Sequence, residues 1–190
     1  MKIRSLWLLA VLCLPVLHAE NLIPNGDMKQ NSGWKIWGSA PPQKEIRAKI
    51  LSYPNAGANG ERGLQIHDIC NDHNPYLINF VRMAPVQKGQ KYILKFQALA
   101  DAGQIFQVAL QGEIAKTADR PGKYLGGPAK TFTGSGKWQE YSAVFNNIPA
   151  KVDKLGVCFS PFVMTSDTTR TGKLLLANVS LELDTTPPPV

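Results

Sequence analysis

The densest set of residues able to do chemistry is His67-Asp68-Ile69-Cys70-Asn71-Asp72-His73, where imidazoles, carboxylates and a thiol lie close together. Such a run can ligate zinc or activate a thiolate, but zinc asks for a tetrahedral set and no second Cys/His pair follows at a finger-like spacing. A strand ending in a polar loop explains the same letters, and that reading is preferred. Glycoside cleavage needs two carboxylates across a groove at a set separation. Glu113, Asp119, Glu140 and Asp153 are scattered without a recognisable motif. No catalytic motif is recognisable in either set.

Binding chemistry rests on rings and amides. Trp37, Tyr76 and Tyr124 fall near loops or strand ends, whereas Trp34 and Trp138 are assigned to the core. The outward positions of three expected strands supply Asn79 and Arg82, Lys95 and Gln97, and Gln107 and Gln111. Placed side by side, these would form a polar floor. A flat ring can pack on an apolar ligand face, and amides and a guanidinium can satisfy polar groups around it. The competing reading is a plain solvated face of an antiparallel sheet.

The elements that must position these residues are strands. Short apolar or alternating runs, separated by Gly, Pro, Asn and Asp, predict strands at 21–24, 33–37, 44–51, 63–69, 76–81, 90–100, 105–111, 130–133, 138–146, 154–160 and 174–182. No helical period is sustained. The clearest alternation is Tyr92-Ile93-Leu94-Lys95-Phe96-Gln97-Ala98, which puts Tyr92, Leu94, Phe96 and Ala98 on one face. Turn signals at Lys88-Gly89, Asp101-Ala102-Gly103 and Gly134-Ser135-Gly136 join these runs into an all-β, antiparallel two-sheet sandwich.

Lys2 and Arg4 precede an apolar run, Leu6 to Leu17, that ends near Ala19. Residues 1–19 read as a secretory signal peptide, too short to span a bilayer as a helix. The protein is thus expected outside the inner membrane, in the periplasm or beyond the cell. One domain fills residues 20–184, and Thr185 to Val190 form a Thr/Pro tail. The net charge of +7 falls to +5 once Lys2 and Arg4 leave. That excess is spread without a basic run, which argues against nucleic acid as a partner. Cys70 and Cys158 remain in an oxidising compartment, and a disulfide between them is the default expectation, worth about 4 kcal/mol in the chain-entropy account. Asn178-Val179-Ser180 fits a glycosylation sequon but lies in an expected strand, so it reads as chance.

Asn21-Leu-Ile-Pro-Asn-Gly-Asp-Met28 followed by Gly33-Trp34 opens the chain, Val86 to Ala98 enters its central strand, Trp138-Gln139-Glu140-Tyr141 leads to Phe145, and Leu174 to Leu183 closes it. In this order the motifs resemble the jelly-roll carbohydrate-binding modules of families four, nine and twenty-two. The resemblance implies a jelly-roll β-sandwich without catalysis whose partner is a poly- or oligosaccharide. It also implies a structural calcium, but the acidic positions of that site are here Lys29 and Ala177, so no metal or other cofactor is expected. Leu99 stands where such modules often carry an arginine. An envelope or surface protein that binds another protein, and a jelly-roll enzyme that cleaves glycans, are the alternatives to glycan binding alone.

Overall fold

The computed structural model describes residues 21–23, 26–28, 34–37, 48–53, 57, 59–60, 62–68, 76–82, 90–114, 116–119, 121–146, 148, 152–163 and 172–185. Eleven strands run through them: β1 (Trp34–Trp37), β2 (Ala48–Tyr53), β3 (Gly63–Asp68), β4 (Tyr76–Arg82), β5 (Tyr92–Leu99), β6 (Ile105–Ile114), β7 (Lys123–Leu125), β8 (Ala129–Thr133), β9 (Gln139–Phe145), β10 (Lys154–Ser160) and β11 (Gly172–Leu183). They form a jelly-roll sandwich of two antiparallel sheets. The six-stranded sheet has the order β1-β4-β10-β6-β7, with β8 pairing the first half of β6, and the five-stranded sheet has the order β2-β3-β11-β5-β9. Among the described residues no helix is long and apolar enough to cross a membrane.

The alternation read from Tyr92 to Ala98 sets the core. Tyr92, Leu94, Phe96 and Ala98 are all buried between the sheets, while Lys95 is exposed on the other face. Phe96 is the hub, meeting Phe106 and Phe159 from the opposite sheet edge-on at 6.3 and 5.0 Å, Phe132 edge-on at 5.3 Å, and Tyr141 stacked at 5.4 Å. Contacts of this kind add about 1 kcal/mol each beyond the area they bury. Trp34 is buried against Phe159, ring centroids 6.0 Å apart, as its assignment to the core requires. Trp138 is half-buried just before β9. Burial raises the phenol pKa of Tyr92 and of Tyr141 above the ordinary tyrosine value.

The opening segment is held against β11 where β3 stops. Leu22 N–H donates to the Leu181 carbonyl at 2.8 Å, and Val179 N–H donates to the Gly26 carbonyl at 2.8 Å. Between these, the Asn21 side chain acts as a stand-in peptide group. Its Nδ2 donates to the Val179 carbonyl at 3.1 Å, and its Oδ1 accepts from Leu181 N–H and Ile23 N–H at 3.0 Å each. The surrogate occupies the edge of β11 that β3 leaves beyond Leu176, beside a bulge in the β11–β5 ladder between Ala177 and Ser180, with Asn178 in the left-handed region at φ 48°. A Cβ at Gly26 would collide with the Val179 carbonyl oxygen, so only glycine lets the segment close on the bulge. Residues 21–23, expected to form part of a strand at 21–24, are bonded to the closing strand but are not themselves a regular strand.

Most expected strands coincide with observed ones to within two residues, but β7 was not anticipated. Its three residues lie between Gly122 and Gly126-Gly127, and only the ladder offered by the far end of β6 makes them a strand. The signal segment 1–19 and residues 186–190 of the tail lie outside the described residues.

The clasp generates a stability prediction. Asn21→Ala is expected to cost about 1–3 kcal/mol, because three backbone partners lose one amide. Gly26→Ala should cost at least as much through the collision, and each kcal/mol lowers Tm by roughly 2–4 °C in a domain of this size. Thermal unfolding of both variants checks this, and unchanged Tm values would show that the segment is not clasped.

Candidate binding site

Strand order decides which of the candidate residues can share a surface. On β6, Phe106, Val108 and Leu110 point into the core, so Gln107, Ala109 and Gln111 face the other way. On β10 the same rule sends Leu155, Val157 and Phe159 inward and Gly156, Cys158 and Ser160 outward. Register then sets the outward rows: Gly156 pairs with Phe80 and Gln111, Cys158 with Ile78 and Ala109, and Ser160 with Gln107. Ala109, Cys158 and Ser160 are fully or almost fully buried without belonging to the inter-sheet core, and Gln107 and Gln111 are half-buried beside them. The Cys158 thiol donates to Gln111 Oε1 at 3.1 Å.

The remaining candidates are placed by backbone register. Trp37 pairs with Tyr76 at the end of β1 and β4. Arg82 pairs with Lys154, whose ammonium lies 3.5 Å from Glu113 at the other end of the sheet. Tyr124 pairs with that same Glu113 from β7. Asn79 is opposite Trp34 and Val157, a row whose described members are core side chains. Asn79 thus falls in the inward row, which corrects its expected place beside Arg82 on the outward face, and the six-stranded sheet brings together Trp37, Tyr76, Arg82, Gln107, Gln111 and Tyr124, from strands β1, β4, β6 and β7.

Gln97 is not among them, and the expectation that Lys95 and Gln97 extend the same floor is corrected. β5 belongs to the five-stranded sheet, where it lies between β11 and β9. The turn at Asp101-Ala102-Gly103 carries the chain across the sandwich, so β5 and β6 face each other through Phe96 and Phe106 instead of pairing as a hairpin. Gln97 does point outward on its own sheet, yet it is only 8% exposed because neighbouring polar side chains cover it.

Of the expected Cys70–Cys158 pair, Cys70 lies outside the described residues. Cys158 is buried at the centre of the six-stranded sheet, flanked by β4 and β6. Strand alternation aims the Cys158 sulfur at Gln111, away from the inter-sheet core.

The polar run that began the sequence reading contributes only His67 and Asp68 to a described element, the end of β3; residues 69–73 lie outside the described residues. Of the two positions that bear on calcium, Lys29 also lies outside them, whereas Ala177 is fully buried and offers no side-chain oxygen. Among the described residues no three of His, Cys, Asp or Glu come together.

With its thiol donating to Gln111, Cys158 predicts that the Tm measured without reductant is unchanged by adding one. A drop of several degrees on reduction would mean that the bond exists, since a cross-link closing a loop of this length contributes roughly 4 kcal/mol.

A family model described as Carbohydrate binding domain matches residues 20–159. Among solved structures, the chain is similar to a CBM4 module at 15% identity and a TM-score of 0.56, covering 85% of this chain and 99% of that one. It is similar to the CBM22-2 xylan-binding domain of Paenibacillus barcinonensis Xyn10C at 17% identity and a TM-score of 0.52, covering 83% and 95%. It also matches the enzymatically active domain of bacteriophage CBA120 tailspike protein 4 at 11% identity and a TM-score of 0.57, where it covers 86% of this chain but spans only 21% of the tailspike domain. No curated protein matches the chain by sequence. At these identities the likeness to solved structures is one of fold, and it is the family model, spanning most of the chain, that carries the assignment. The chain belongs to the Carbohydrate binding domain family.

Proposed function

We propose that this protein is an exported, non-catalytic module that binds a poly- or oligosaccharide on the outward face of the six-stranded sheet. The observation that carries the reading is the convergence on that one sheet of the Trp37–Tyr76 register pair and of Gln107 and Gln111. Adjacent strands lie about 4.8 Å apart, and Gln107 and Gln111 are four residues apart, roughly 13 Å along β6. A surface of that size suits an extended chain of several sugar units. Rings at Trp37 and Tyr76 would stack on sugar faces, and the amides of Gln107 and Gln111 would fix the register of the hydroxyls.

Gln111 is the best prepared of these groups. Its Oε1 accepts from the buried Cys158 thiol, which orients the amide and leaves the NH₂ end to donate to a ligand. Orientation of this kind lowers the entropy lost on binding, which matters because desolvating hydroxyls offsets much of the gain. Family membership supports the glycan as partner and a binding role without turnover. The basic start and short apolar run of residues 1–19 support export. The poor fit of Ala177 to a cation supports binding that needs no calcium.

A screen of neutral and acidic polysaccharides by affinity gel, using the chain from Glu20 to Val190, tests the proposal. Retardation by at least one glycan is expected, unchanged by a chelator and weakened about tenfold or more in Trp37→Ala or Tyr76→Ala, the loss of one stacking contact and its buried area. Absence of retardation by every glycan would refute glycan binding. Release of oligosaccharide during incubation would refute the non-catalytic role, and loss of binding in chelator would refute calcium independence.

A further inference from the structure

The opposite face of the sandwich holds a polar construction that the six-stranded sheet does not use. On the outward side of the five-stranded sheet, Ser142, Lys95 and Ser180 form one row across β9, β5 and β11, and Glu140 and Gln97 form the next, completed by Asn178 from the bulge. Gln97 is fixed at both ends of its amide. Its Oε1 accepts from Asn178 Nδ2 at 3.1 Å, and its Nε2 donates to Glu140 Oε1 at 3.3 Å. Lys95 Nζ is held by Glu182 Oε2 at 3.2 Å, and Ser180 Oγ donates to the other oxygen of the same carboxylate at 3.3 Å. A recess of about 370 Å³ opens among Lys95, Gln97, Glu140, Tyr141, Ser142 and Asn178.

We propose that this recess is a second ligand site, which takes one neutral sugar residue through a pair of neighbouring hydroxyls. The proposal rests on the glycan-binding reading above but concerns a different surface.

Three features argue for a ligand in place of ordinary surface polarity. First, an outward-facing glutamine that is 8% exposed and tied at both ends is a rigid floor, unlike the mobile amides of a solvated sheet. Second, Asn178 reaches Gln97 at the β11 bulge, where it is in the left-handed region at φ 48°, a conformation that glycine adopts freely and that asparagine tolerates better than most other residues. Third, the groups bordering the recess alternate in kind. Glu140 keeps one oxygen beyond the one bonded to Gln97, Ser142 can donate or accept, and Lys95 has donors beyond the one given to Glu182.

A vicinal diol complements that pattern, since each of its hydroxyls donates to one neighbour and accepts from another. The opposite charges of Lys95 and Glu140 disfavour a strongly anionic or cationic ligand. Rows two residues apart lie about 7 Å from each other, and three strands span about 10 Å, a footprint for one pyranose.

Amide chemical shifts of the ¹⁵N-labelled protein, titrated with methyl glycosides of glucose, galactose, mannose and xylose and with the oligosaccharide retained in the gel screen, test the site. At least one methyl glycoside is expected to shift the Gln97 side-chain NH₂ and the amides of residues 95–97, 140–142 and 178. Glu140→Gln keeps the partner of Gln97 but removes the carboxylate, and Ser142→Ala removes a hydroxyl; each should weaken this response about tenfold, while Trp37→Ala leaves it unchanged. Shifts confined to β4, β6 and β10 would overturn the second site and leave the first intact. Shifts nowhere, with any sugar, would overturn both. A response at residues 95–97 that is indifferent to Glu140→Gln and Ser142→Ala would also overturn the site as drawn here.

Discussion

The bulge in β11 and the Asn21 amide that fills its gap form the constraint on which the other features depend. β11 is the central strand of its sheet, pairing β3 along one half and β5 along its length, and at Ala177–Ser180 its ladder breaks. Without a substitute, the Val179 carbonyl and the Leu181 N–H would be left unpaired where little water reaches, at a cost of about 1–3 kcal/mol each. Asn21 satisfies both, and Gly26 allows the approach. The same bulge turns Asn178 toward Gln97 and so builds the polar recess on the outer face. One local irregularity therefore closes the fold and shapes a surface.

Closure of the sandwich has a consequence for the opposite sheet. Phe96 from the five-stranded sheet packs against Phe106 and Phe159 of the six-stranded sheet, which fixes the inward phase of β6 and β10. Because strands alternate, that phase also fixes the outward positions of Gln107, Gln111 and Cys158. A slip of one residue would exchange Gln107 for Phe106 on the outer surface. Core packing and the proposed glycan face are in this sense a single decision, made by the aromatic rings.

The fold was largely legible in the sequence, the site less so. Period-two alternation around Tyr92 to Ala98 gave the core face of β5 directly, and Lys154 to Ser160 coincides with β10. What alternation does not encode is which sheet a strand joins. Gln97 and Gln107 look equivalent along the chain, and only the crossing at Asp101-Ala102-Gly103, driven by burial of rings from both sheets, sets them on opposite surfaces. Glu140 and Asn178 were overlooked as binding groups because their partner, Gln97, is distant in sequence from both. The Asn-Val-Ser triplet did mark Asn178, though for a different chemistry.

The central claim is that sugar rings lie on the outward face of the six-stranded sheet. A crystal structure of the protein with a bound oligosaccharide tests it most directly. The account predicts a chain crossing β4, β10 and β6, with hydroxyls within hydrogen-bond distance of the Gln107 or Gln111 amide and a ring stacked at Trp37 or Tyr76. An oligosaccharide bound elsewhere would contradict it.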